Sequence, residues 1–206
     1  DVFGSDAFRY YFMSAIAFGH DGSFSWEDLA ARYQAELANG FGNLASRTTA
    51  MIERYFEGII PPEGTITDGD RKIQEIVRDA AANADAAIDR LAIDEAVAAI
   101  WTIVDALNGY ITENEPWALA KDDAQRERLG TVLYTAAEGL RALAVLMSPV
   151  IPKACETLWI ALGAAETLGR LRDQPIRDAG TWGQLKPGSS VNGLAPLFPR
   201  VESTID

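Results

Sequence analysis

Residues 25–55 read SWEDLAARYQAELANGFGNLASRTTAMIERY, and their apolar side chains fall on one helical face: Leu29, Tyr33, Leu37, Phe41, Leu44, Thr48, Met51 and Tyr55. Steps of three and four residues stack side chains along one side of a 3.6-residue turn. Ser25 offers an N-cap oxygen, and Asp28 occupies the capping-box position three residues on, where Glu or Gln is usual. Gly58 and the pair Pro61-Pro62 end the run. A helix this long with one apolar face needs other helices to cover it.

The rest of the chain supplies them. A helix starting near Asp68 to Asp70 presents Ile73, Ile76, Val77, Ala80, Ala84, Ala87, Ile88 and Leu91. After a break near Asp89 to Ile93, a third face carries Ile93, Val97, Ile100, Val104, Leu107 and Ile111. A fourth carries Leu129, Val132, Leu133, Ala136, Leu140, Leu143 and Met147, and the spacing predicts it to be amphipathic like the others. Pro149 and Pro152 stop that helix and start a last one ending at Gly163. Short links between such helices imply an all-α fold, an antiparallel helix bundle. The expected division is a connecting segment at 1–24, with a short aromatic helix from Asp6 to Ala17; a helical-bundle domain at 25–163; and an extended tail at 164–206. In that tail only Trp182, Leu185 and Leu194 to Phe198 look able to pack.

Composition narrows the function. The 206 residues are 48% hydrophobic and 23% charged, an ordinary globular balance. No uninterrupted apolar run reaches the ~18 residues of a membrane span, so no membrane partner is expected. The opening Asp1-Val2-Phe3-Gly4 has no initiator Met and no signal-like pattern, and reads as internal to a longer protein. A single Cys155 excludes an internal disulfide and a multi-Cys zinc site; it fits a reducing, cytoplasmic setting and a buried, unreactive role. The one His20 lies in a Gly-flanked turn without a catalytic partner nearby, so no catalytic residue and no metal site is assigned. No phosphate-binding loop or dinucleotide fingerprint occurs. A net charge of −12 argues against non-specific nucleic-acid binding, so any RNA contact must be local.

Two polar constellations stand out. Asn39, Asn43 and Arg47 recur at i, i+4 and i+8; on an α-helix they drift by only ~40° per step and form a stripe beside the apolar face. Amide and guanidinium groups read base edges because they offer fixed planar donor patterns. A solvated polar flank has the same spacing. The second is Asn114-Glu115-Pro116-Trp117-Ala118-Leu119-Ala120-Lys121, where Pro116 suits a helix's first turn and Trp117 projects from its start. From the residues alone, Trp117 serves either packing or stacking.

The Asn39-x-x-x-Asn43-Leu44-Ala45-x-Arg47 pattern resembles the anticodon-binding region of bacterial-type methionyl-tRNA synthetases. Asp6-Ala7-Phe8-Arg9-Tyr10-Tyr11-Phe12 resembles that family's Asp-x-x-Arg-Tyr-Tyr-Leu segment, with Phe12 in place of Leu, and Gly19-x-Asp21-x-x-Phe24-Ser25-Trp26 fits as well. Pro116-Trp117 matches the motif whose Trp stacks on an anticodon base, and Leu197-Phe198-Pro199-Arg200 resembles the segment that returns to the catalytic domain. The resemblance implies that Trp117 stacks on a base while Asn43 and Arg47, with Asn39, hydrogen-bond a CAU anticodon loop. It implies a full enzyme that charges tRNA with methionine using ATP and Mg, with its own catalytic domain and the tRNA for methionine as partners. This stretch itself would hold no cofactor and make no methionyl-adenylate. Three other readings share these features: the anticodon domain of another class I synthetase, for cysteine or a branched aliphatic amino acid; a non-RNA helical interaction module; and a synthetase-like protein without activity.

Overall fold

The computed structural model describes residues 3–201, and the described part is a bundle of helices with a tail folded back along it. The first helix, α1 (Gly4–Ala15), is followed by α2 (Trp26–Arg32), a π-helical stretch (Tyr33–Gly42) and α3 (Asn43–Phe56). These last three run on without a break as one long rod. Ser25 caps it, its hydroxyl accepting from the Asp28 backbone N–H at 3.2 Å. The reciprocal half of the capping box is replaced by a bond from Ser25 to Glu27 at 2.7 Å. The rod stops where Glu57 and Gly58 turn left-handed, three residues before the proline pair.

Next come α4 (Asp68–Asp89) and α5 (Ile93–Asn114), joined through Arg90 to Ala92 at the expected break and packed along each other as an antiparallel hairpin. A single turn, α6 (Pro116–Leu119), leads to α7 (Arg126–Met147). The predicted one-sided face of α7 needs correction: every residue from Leu129 to Met147 is buried. This helix runs through the middle of the bundle, touching α3, α4, α5 and α8, so all of its sides are core. An 18-residue window within Asp123–Met147 is apolar enough by composition to cross a membrane, but that window is wholly buried within the bundle. The apolarity is that of a central core helix.

The helix α8 (Pro152–Ala161) explains the Asp6-x-x-Arg9-Tyr10 spacing. Asp6 on α1 accepts from the backbone N–H of Ala154 at 2.9 Å, in the first turn of α8, where orphan donors and the helix dipole favour a carboxylate. Arg9 donates to the carbonyls of Pro149 and Val150 in the turn before it. Tyr10 donates to Glu36 of the long rod at 2.6 Å. The segment expected to be a connector is thus bolted into the bundle at three points.

Helical structure persists slightly beyond the expected end at Gly163, through α9 (Ala164–Leu168) and two 3₁₀ turns. Gly163 is left-handed, at φ +68°, and a Cβ there would lie 2.3 Å from the Ser190 carbonyl oxygen, so the tail passes where only glycine fits. The described part of the tail then lies along the bundle, pairing with residues 58–60 through a bridge between Ile59 and Ser190. Leu185 and Phe198 are buried, and Trp182 is half-buried with its indole N–H on Glu63 at 3.3 Å.

Candidate nucleic-acid interface

The residues of the polar stripe sit across a change of helix type. Asn39 lies in the π-helical stretch, whose i→i+5 bonds widen the turn, while Asn43 opens α3. The ~40° drift expected for an α-helix therefore holds from Asn43 to Arg47 but not from Asn39 to Asn43. The wider turn brings i and i+5 together: Gln34 donates its amide to the Asn39 oxygen at 3.4 Å. Asn39 and Asn43 are both exposed, and Arg47 is half-buried. Their neighbours Leu37, Phe41, Leu44 and Thr48 are all buried, which anchors the rod and fixes the direction of the polar edge.

Trp117 sits on α6, one turn of helix entered through a left-handed corner at Glu115, where φ is +42°. Pro116 is buried at the first helical position, and the Trp117 indole remains 38% exposed. The structure brings the two sequence motifs together: the Arg47 guanidinium lies over the Trp117 ring, 5.7 Å from its centroid. A guanidinium at that distance from an indole is held by the ring quadrupole. Among the described residues Arg47 makes no ion pair, so its charge is not spent on a carboxylate. In a chain of net charge −12 this is a local cation beside an exposed aromatic face. Such a pair matches the stacking and hydrogen-bonding needs of an unstacked RNA base.

Sequence reasoning missed the second wall. A cleft of about 340 Å³ is lined on one side by Asn39, Asn43 and Ser46 and on the other by the tail residues Pro196 to Arg200. Phe198 holds that wall, meeting Tyr33 and Phe41 edge-on at 5.9 and 6.4 Å between ring centres. Tyr33 donates to the Pro199 carbonyl at 2.7 Å. Gly42 faces this wall, and a Cβ there would meet Phe198 at 3.6 Å, an ordinary van der Waals contact. Phe198 and Gly42 were visible in the sequence, but nothing in the spacing pairs residue 42 with residue 198. His20 lies exposed in its turn, remote in sequence from these groups, and no group of three or more His, Cys, Asp or Glu gathers to hold a metal among the described residues.

The profile of the family described as the anticodon binding domain of methionyl tRNA ligase matches residues 60–204. That of class I tRNA synthetases (M) matches residues 1–49. A methionine–tRNA ligase from Streptomyces coelicolor is 50% identical over 203 residues, covering 97% of this chain and 38% of the relative. One from Caldanaerobacter subterraneus is 38% identical, covering 98% of this chain and 31% of the relative. The chain thus spans about a third of the length of these relatives. The crystal structure of the free-state Mycobacterium tuberculosis methionyl-tRNA synthetase superposes with a TM-score of 0.88 at 30% identity, covering 98% of this chain and 40% of that one. With a matching profile over residues 60–204 and the same fold, the chain belongs to the family of methionyl-tRNA ligase anticodon-binding domains.

Proposed function

We propose that this chain is the anticodon-reading part of a cytoplasmic methionine–tRNA ligase and grips the CAU loop of its tRNA with Trp117, Arg47, Asn43 and Asn39. The observation that carries the reading is the Arg47–Trp117 pair, with the guanidinium 5.7 Å from a ring that is 38% exposed. A base stacked on the indole gains ~1–3 kcal/mol. Arg47 then offers donors to a base edge or a phosphate, and Asn43, one helical turn away, offers an amide to the same loop. The bulk of the attraction to a polyanion would come from other parts of the protein, since this chain carries net charge −12. ATP and Mg would serve methionine activation in the catalytic domain to which the chain is joined. The residues here include no glycine-rich phosphate loop, and none of them is assigned a step in that chemistry.

The test is Trp117→Ala in the complete ligase. Charging of cognate tRNA should fall roughly 5- to 150-fold in kcat/KM, the equivalent of one lost stack, while methionine-dependent ATP–pyrophosphate exchange stays near its starting rate. A variant that melts at lower temperature yet discriminates anticodons normally would make Trp117 a packing residue and overturn the reading.

A further inference from the structure

Three helix ends meet beneath the Trp117 corner, and one arginine joins them. Asp70, in the first turn of α4, is fully buried. Arg128, in the first turn of α7, grips its two oxygens at 2.6 and 3.0 Å. Tyr110 of α5 also donates to Asp70, and Thr67 donates its backbone N–H and hydroxyl at 2.7 and 2.9 Å. The carboxylate is saturated, so the fork of Arg128 is held in one orientation.

That orientation aims the remaining donor at the corner. Nη2 of Arg128 reaches the side-chain oxygen of Asn114 at 2.6 Å, and the Asn114 amide turns back onto the Tyr110 carbonyl at 2.9 Å. Asn114 is the last residue of α5; Glu115 follows in the left-handed region, at φ +42°, then buried Pro116, then Trp117. A non-glycine residue in that conformation is costly and persists only where its surroundings hold it. The bonds on Asn114 supply that hold from the N-terminal side.

We propose that Arg128 is a positioning residue for Trp117: anchored by Asp70 and acting through Asn114, it holds the corner that sets the angle at which the indole meets an anticodon base. The inference rests on the stacking role given to Trp117 above.

The experiment uses the complete ligase and methionine tRNA carrying 2-aminopurine in the anticodon, whose fluorescence is quenched on stacking. Asn114→Ala removes the acceptor and leaves the Asp70–Arg128 pair. The expected result is a loss of ~5- to 30-fold in kcat/KM for tRNA, carried mainly by KM, with weakened quenching and unchanged pyrophosphate exchange. Asn114→Asp keeps an acceptor for Arg128 but loses the amide bond to the Tyr110 carbonyl, so it should recover part of both quenching and KM. Should Asn114→Ala fail to fold, Arg128→Lys keeps the charge opposite Asp70 but loses the fork, and the same loss is expected. The positioning role is overturned if these variants quench and charge like wild type while Trp117→Ala does not, or if folded Asn114→Asp is as impaired as Asn114→Ala. A Trp117→Ala enzyme that behaves like wild type would instead remove the stacking role, and the positioning role with it.

Discussion

Glu138 and Arg141 form an ion pair at 2.9 Å in the middle of α7, with side chains 0% and 2% exposed. Both charges also bond the backbone of the tail. Arg141 donates to the carbonyls of Ala179 and Thr181 at 2.9 and 3.0 Å, and Glu138 accepts from the backbone N–H groups of Gln184 and Leu185 at 3.0 and 2.9 Å. The pair is a clamp by which the central helix holds the tail.

Removing one half should therefore unfold more than it loosens. Arg141→Leu leaves Glu138 charged and buried without its partner, and the expected cost is about 3–5 kcal/mol in urea denaturation. Residues 179–185 should become open to proteases at the same time. Replacing both with apolar residues of similar volume should recover much of the stability but not the protection of the tail, because the backbone bonds stay lost. An Arg141→Leu protein as stable as wild type would show that the pair contributes nothing.

Asn43 and Arg47 are one helical turn apart on α3, and contacts that share a nucleotide should couple. A double-mutant cycle on aminoacylation efficiency, run with cognate and wobble-altered tRNAs, should show the double substitution costing less than the sum of the singles. Asn43→Ala should lose its ~1–3 kcal/mol on the cognate anticodon selectively, since an amide carries no charge. Arg47→Ala should add a uniform loss and lower the salt slope by ~1, the mark of a phosphate contact. Full additivity without a change in preference would exclude this stripe from anticodon reading.

The Asp70 carboxyl should make stability fall in acid. Burial alone would raise it, but hydrogen bonds from Arg128, Tyr110 and Thr67 outweigh that and bring it from an ordinary 3.8 down to about 2. With the folded value depressed, the stabilisation is complete above about pH 4 and is lost as pH falls through about 2. Between pH 5 and 2 the wild type should lose on the order of 2 kcal/mol more than Asp70→Asn does. Parallel acid curves for the two proteins would contradict the assignment.

Cys155 should be silent toward thiol reagents until the bundle opens. It is fully buried, and burial pushes its thiol well up, with the Asp6 and Glu156 carboxylates adding to the effect. Only the thiolate attacks, so alkylation of the native protein should track global unfolding. Rapid labelling under native conditions would place Cys155 at a surface.

Much of the bundle is local information, and local information survives in a sequence. The face from Leu29 to Tyr55, the break between α4 and α5 and the buried Cys155 follow from spacing and chemistry carried within a few turns of chain. Asn43, Arg47 and Trp117 were legible as motifs for the same reason, each set lying within one turn or two. What tertiary structure alone decided are relations between distant residues. Spacing marks one face of α7 as apolar, but only its position in the middle of the bundle buries the other side, with Glu138 and Arg141 inside. The π-helical stretch from Tyr33 to Gly42 offsets Asn39 from the stripe, since helix type follows from packing as much as from composition. Arg47 meets Trp117 across a separation of seventy residues, and Phe198 closes the cleft beside Asn39 and Asn43 from the far end of the chain. Periodicity states which side of a helix is apolar; which other side chains reach the polar edge depends on how helices cross and where the tail is clamped, and no repeat in the sequence encodes that.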